Sequence, residues 1–253
     1  MSNEIKALIF AAGLGTRLRP LTDRMPKALV PVAGVPALER VIERIALTGI
    51  TDITVNVHHH GEMIKRYLAV TDHPGLNITI SDESDLLLDT GGGLLKALGI
   101  TGTDCHLLIH NADIMTDLPL REMIARHFNS RADATLLTAD RTSSRKLLFD
   151  RDGLMQGWTN ISSGEVRPEG LKTDGLTPLS FGGIHIVAPS LLHILQEYKP
   201  AGTAFPIMPF YIENCLRLAI GSFTYDKPYR WLDIGKPQSL DEASRSFRNQ
   251  KLV

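Results

Sequence analysis

Short apolar runs alternate with longer stretches of helical periodicity through the first half of the chain, the pattern of parallel strands joined by helices. Residues 6–10, 53–57, 78–81, 107–110 and 134–138 read as strands, and 36–47, 62–68, 92–98 and 120–128 as the helices between them. That order builds an open twisted α/β sheet, and ligands of such sheets sit outside the carboxyl ends of the strands. Past Arg141 the pattern changes to short β-like pieces at 146–149 and 154–158, followed by a loop from 160 to 178 rich in Gly, Pro, Ser and charge. A loop of that length reads as an insertion flanking a pocket. The sheet pattern resumes at 179–187, with helices expected at 189–196 and 205–216, strands at 222–225 and 229–232, and a closing helix at 238–247.

The first strand runs directly into Ala11-Ala12-Gly13-Leu14-Gly15-Thr16-Arg17, with Pro26-Lys27 following. Two glycines after a buried strand let backbone N–H groups approach a polyphosphate, and Arg17 and Lys27 supply cations for its oxygens. Two better-known glycine loops do not fit. A dinucleotide fingerprint needs Gly or Ala where Leu18 stands and an acid closing the next strand, which here ends Asn56-Val57. A P-loop needs Gly-Lys-Ser/Thr, and no such triplet occurs.

The 253 residues, 43% hydrophobic, are enough to bury a full core and fit a single α/β domain. A formal net charge of −1 gives no electrostatic footprint for nucleic acid. Cys105 and Cys215 lack close partners and read as core residues of a reducing compartment. No stretch approaches the roughly 20 apolar residues of a membrane helix, so a cytoplasmic protein is expected. His58-His59-His60 is declined as a metal site, because adjacent residues on one turn cannot all face one ion.

The loop just described, continued through Leu18-Arg19-Pro20-Leu21-Thr22, resembles the signature of sugar-1-phosphate nucleotidyltransferases. Thr90-Gly91-Gly92-Gly93, His110-Asn111-Ala112-Asp113 and Trp231-Leu232-Asp233-Ile234-Gly235-Lys236-Pro237 recur in the order that family uses, so the resemblance spans nearly the whole chain. It implies a Rossmann-like open twisted mixed sheet with a small β-hairpin or loop insertion. Residues 1–140 would mainly bind nucleotide and 141–253 mainly sugar.

The implied reaction passes a nucleotidyl group from a nucleoside triphosphate to a sugar 1-phosphate and releases pyrophosphate. By that resemblance Asp113 and Asp233 are the Mg²⁺ ligands, Arg17 neutralises the leaving pyrophosphate and Lys27 contacts the α-phosphate. Ala11, Ala12, Gly13, Gly15 and Thr16 would hold the phosphates, with Gly92 near the base and Asp82 or Glu83 reading its edge. Asn111, Asn160 and Gly183 fall on the sugar side. Many relatives carry Glu-Lys-Pro after the central hairpin, where this chain reads Gln156-Gly157-Trp158-Thr159-Asn160, so that lysine is missing. Lys172 and Arg167 stand in the following loop as substitutes, or as plain solvated charges.

The Thr-Gly-Gly-Gly pattern is most similar to small uridylyltransferases acting on N-acetylmuramate 1-phosphate, which points to UTP and an N-acetylated sugar. Mannose 1-phosphate guanylyltransferase, choline-phosphate cytidylyltransferase and a non-catalytic nucleotide-sugar-binding subunit are the alternatives. The expected partners are the two small substrates, without nucleic acid or membrane, in a monomer or small homo-oligomer.

Overall fold

The computed structural model describes residues 4–248. Its strands begin with β1 (Ile5–Phe10), β2 (Pro31–Val32), β3 (Val35–Pro36), β4 (Asp52–Val57), β5 (Asn77–Asp82), β6 (His106–Asn111) and β7 (Ile114–Thr116). They continue with β8 (Ala134–Ala139), β9 (Arg145–Phe149), β10 (Met155–Asn160), β11 (Glu165–Arg167), β12 (Thr177–Val187), β13 (Ile220–Phe223) and β14 (Trp231–Asp233). The helices are α1 (Ala37–Ala46), α2 (Gly61–Val70), α3 (Asp89–Thr101), α4 (Leu120–Ser130), α5 (Pro189–Tyr198), α6 (Ile207–Asn214) and α7 (Pro237–Ser246).

β1 is apolar along most of its length because it is buried on both faces between β4 and β6, to which it runs parallel. Its side chains alternate between two cores. Ala7 and Ile9 join the one covered by α1, α4 and α7, and Leu8 joins the one covered by α3, α5 and α6. α1 faces its core through Leu38, Val41, Ile42 and Ile45, the i, i+3, i+4, i+7 spacing of an amphipathic helix.

The main sheet runs β11-β10-β9-β12-β6-β1-β4-β5, with β8 also on β12 and β13 on β8. Its parallel centre matches the reading of the first half of the chain, and it becomes mixed at β12, which is antiparallel to β6, β8 and β9. β12 serves two sets of partners by bending. The pairing with β8 slips between Phe181 and His185, where Gly183 takes φ +72°, the geometry of a bulge.

Several elements differ from the sequence reading. Part of the 160–178 loop is strand β11, paired to β10 across a turn closed by Gly164 at φ +74°. Strand 222–225 lies two residues earlier as β13, which places Ile220 and Phe223 in the cores. The helix expected over 205–216 is the shorter α6. The helix expected from Gly92 begins at Asp89, so all three consecutive glycines are helical.

Two small antiparallel sheets lie outside the main one: the β2–β3 hairpin, and β7 with β14. The second is decisive for the site, since it sets Asp233 opposite Ile114, the neighbour of Asp113. Among the described residues no helix is long and apolar enough to cross a membrane.

Candidate active site

The glycine loop leaves the sheet at the carboxyl end of β1. Asn56, paired in register with Phe10, points its amide under the loop and accepts the Ala11 and Ala12 N–H groups at 2.7 and 3.2 Å. Those two donors are therefore turned inward, a correction to the expectation that they meet phosphate. Gly13 is exposed at the lip.

Gly15 adopts the left-handed region at φ +64°, and a Cβ there would lie 2.8 Å from Thr22 Cγ2 and 3.1 Å from Lys27 Cβ. The Thr22 hydroxyl donates to the Gly15 carbonyl at 2.8 Å, closing the turn over the stem of Lys27. Leu18 anchors the next turn in the core, which leaves Thr16 and Arg17 at the surface.

Asp113 follows β6, and the β7–β14 pair brings Asp233 alongside, with the Ile234 N–H donating to the Asp113 carbonyl at 3.0 Å. Lys27 Nζ bonds to Asp113 Oδ2 and lies 3.7 Å from Asp233 Oδ1. Arg17 Nη2 is 3.7 Å from Asp233 Oδ2. The Lys27 side chain is only 11% exposed whereas that of Arg17 is 58% exposed, so one cation is fixed and the other is free to follow a ligand.

Gly235 completes the group. Its N–H donates to Asp233 Oδ1 at 2.8 Å, and a Cβ on it would fall within 3 Å of Arg17 Nη2, Asp233 Oδ1 and Lys27 Nζ.

Of this group Lys27 and Asp113 line a cleft of about 530 Å³. Ala11, Ala12, Gly13 and Lys27 line it from the loop, and Asn111, Ala112 and Asp113 from the end of β6. Asn56 forms part of its wall, with Asp89 and Thr90 of α3 and residues 204–206 opposite.

Gly183 comes close to this wall, because a Cβ on it would lie 3.0 Å from Asn111 Nδ2 and 2.9 Å from Ile114 Cγ1. Trp231 ties β14 to the β12 bulge by donating Nε1–H to the Gly182 carbonyl at 2.8 Å, and the Arg141 guanidinium stacks 3.8 Å from its ring centroid. His110 is fully buried behind Asn111, and loss of solvent holds its imidazole down at about 4. It is a neutral packing group at pH 7.

Three expected ligand contacts are placed elsewhere. Gly92 lies under the Thr203 carbonyl, 2.3 Å from where its Cβ would be, so the chain's own backbone covers it. Glu83 is fully buried, its Oε1 accepting Asn56 Nδ2–H at 2.7 Å and its Oε2 accepting the Leu88 N–H at 3.0 Å. Asn160 caps the β10–β11 turn, its Oδ1 accepting the Ser162 N–H at 3.1 Å, and does not line the cleft.

Asp82 is also occupied. Lys65 and Ser84 bond to its carboxylate and hold it down at about 2. Arg167 is exposed and pairs with Glu165, and Lys172 is exposed, so both read as solvated charges.

Sequence reasoning missed Asn56 and the 204–206 segment, and in the motif around Thr90 it placed the contact at Gly92, whereas Asp89 and Thr90 line the cleft. Asn56 carried a signal: an amide in the otherwise apolar strand Ile53-Thr54-Val55-Asn56-Val57 needs hydrogen-bond partners once buried.

Comparison with known proteins identifies the family. A profile described as Nucleotidyl transferase matches residues 6–147. An N-acetylmuramate alpha-1-phosphate uridylyltransferase of Caulobacter vibrioides is 32% identical over 73% of this chain and 76% of its own length. A mannose-1-phosphate guanyltransferase of Debaryomyces hansenii is 28% identical over 93% of this chain, which spans only 62% of that longer protein. A UDP-glucose pyrophosphorylase structure from Acinetobacter baumanii superposes with a TM-score of 0.78 at 18% identity, covering 98% of this chain and 95% of that one, a likeness of fold. The chain belongs to the nucleotidyl transferase family.

Proposed function

We propose that this protein transfers a uridylyl group from UTP to the phosphate of an N-acetylated sugar 1-phosphate, giving a nucleotide-activated sugar and pyrophosphate. The observation that carries the reading is the meeting of Lys27, Arg17, Asp113 and Asp233 in one charged group, of which Lys27 and Asp113 line the cleft. Residues 1–140 supply the nucleotide side and 141–253 much of the sugar side, with Asn111 and Gly183 at their junction.

In the reaction a phosphate oxygen of the sugar 1-phosphate bonds to the α-phosphorus, and the bond from that phosphorus to the oxygen bridging to the β-phosphate breaks. Pyrophosphate leaves with the electron pair. Such transfers are driven by alignment and charge neutralisation, and no nucleophilic side chain is required. Lys27, held on its packed stem, meets the α-phosphate. Arg17, exposed and tethered loosely to Asp233, follows the charge that builds on the departing pyrophosphate.

Asp113 and Asp233 are fit to hold a divalent cation, because the Lys27 ammonium already lies against an oxygen of each. Two carboxylates completed by phosphate oxygens and water suit Mg²⁺, which would neutralise charge on both substrates when bound.

The choice of UTP and an N-acetylated sugar is supported by the 32% identity to the uridylyltransferase. GTP with mannose 1-phosphate is the second reading, favoured by the larger share of the chain, 93%, matched by the guanyltransferase. A panel of four nucleoside triphosphates against N-acetylated and plain hexose 1-phosphates, scored by pyrophosphate release with Mg²⁺, decides between them. Release with no pair would overturn both.

A further inference from the structure

We infer that Asn56 and Glu83 form a buried clamp that positions the glycine loop for the triphosphate, with Glu83 acting through Asn56 rather than on the nucleotide base. The inference rests on the nucleotidyl-transfer reading for its purpose, but the clamp itself is geometric. Asn56 is 2% exposed and Glu83 not at all.

The hydrogen bonds converge on the Glu83 carboxylate. The Ala11 and Ala12 N–H groups donate to Asn56 Oδ1, Asn56 Nδ2–H donates to Glu83 Oε1, and the Leu88 N–H donates to Glu83 Oε2. The two loop amides fix which end of the Asn56 amide is oxygen. Glu83 is held from its own backbone as well, its N–H donating to the Val57 carbonyl at 2.8 Å and its carbonyl lying 2.7 Å from His58 Nδ1.

Gly93 makes room for the pair. A Cβ there would lie 2.7 Å from Glu83 Oε1 and 3.0 Å from Asn56 Nδ2. The clamp thus joins the ends of β1, β4 and β5 to the start of α3. These elements form both the loop wall and the Asp89–Thr90 wall of the cleft. Occupying the Ala11 and Ala12 donors from behind sets the loop's path and presents Gly13 and its successors to the ligand.

The logic of donors and acceptors supplies its own rescue experiment. Glu83→Gln leaves an amide N–H₂ facing either the Asn56 or the Leu88 donor. Asn56→Asp sets two carboxylates against each other. The double variant Asn56→Asp/Glu83→Gln keeps the total charge and reverses only the middle bond. The new carboxylate accepts the loop amides and the new side-chain N–H₂, and the new side-chain carbonyl accepts the Leu88 N–H.

We expect each single variant to weaken UTP or GTP binding, measured by calorimetry without sugar phosphate, by about tenfold or more. Hydrogen exchange at the Ala11 and Ala12 amides should quicken. The double variant should recover both to within about threefold of wild type.

Single variants that keep wild-type affinity and exchange, or a double variant no better than the worse single, would overturn the clamp. If a single variant fails to fold, recovery of the folded state in the double decides in the same way. If wild-type protein binds no triphosphate, the functional reading fails while amide exchange still tests the clamp.

Discussion

Gly13 of the first glycine loop and the glycines at 91–93 look alike in the sequence and do opposite things in the fold. A Cβ on Gly13 would meet nothing within 4 Å, and the residue faces the cleft. Gly91, Gly92 and Gly93 lie inside α3, where their missing side chains admit the Phe205 ring, the Thr203 carbonyl and the Glu83 carboxylate. Glycine disfavours helix, so three in succession mark a place where close approach outweighs propensity. Gly13 opens onto the cleft, whereas what approaches the glycines at 91–93 is the protein itself. A glycine motif therefore reports proximity without naming the neighbour.

The comparison breaks most sharply if chemistry and stability do not separate between the two sides. Asp113→Asn or Asp233→Asn, on the ligand-facing side, should lower kcat/KM about a hundredfold to a thousandfold or more. A thermal melt should show these variants folded. Near-wild-type turnover at saturating Mg²⁺ would remove the carboxylates from the reaction.

Gly92→Ala should act in the other way, forcing a Cβ to within 2.3 Å of the Thr203 carbonyl oxygen. Overpacking of this kind costs about 1–3 kcal/mol, read as a fall in melting temperature of roughly 2–4 °C for each kcal/mol. An unchanged melting temperature would show that residues 203–205 do not press on the helix.

Gly13→Ala is the matched control. It should leave stability within about 0.5 kcal/mol, since the site is open, while raising the triphosphate KM roughly tenfold, about the worth of one hydrogen bond. An unaltered KM would mean that the ligand passes the lip without touching it.

The mildest effect, near neutral pH, is common to every variant. Burial holds His110 and His127 at about 4 and His185 at about 3, below the ordinary 6.5. The unfolded chain therefore binds more protons, and stability rises with pH in this range. The stabilisation is present above pH 6.5 and is lost as pH falls towards 4. Melting curves from pH 7.5 to 5 should show a steepening decline below 6.5, shared by Gly13→Ala and Gly92→Ala because these histidines lie off both glycine segments.

Much of the architecture was legible in the sequence because it depends on neighbours close along the chain. The parallel centre, α1 and the helix over 120–128 follow from apolar residues at the period of a strand or a helix. Strand β11 escaped because exposed polar residues carry little periodicity, and β7 because it is only three residues long.

At the site, Arg17, Lys27, Asp113 and Asp233 were each identified from motifs, and the fold brings them together. Gly92, Glu83 and Asn160 read from the sequence as ligand contacts. In the fold Gly92 is covered by Thr203, Glu83 is bonded to Asn56 and Leu88, and Asn160 caps a turn. Thr203 and Asn56 lie far along the chain from the residues they meet, whereas Leu88 and Ser162 are local partners.

By itself the sequence determined the alternation of elements, the family and the identity of the charged groups, since each is written in residues a few places apart. Only the tertiary structure decided that β14 pairs with β7 to seat Asp233 beside Asp113, that Asn56 turns two loop amides inward, and that Gly13 meets solvent while the glycines at 91–93 are packed shut. Those outcomes depend on which surfaces, remote in the chain, exclude water from each other, and local spacing carries no record of that choice.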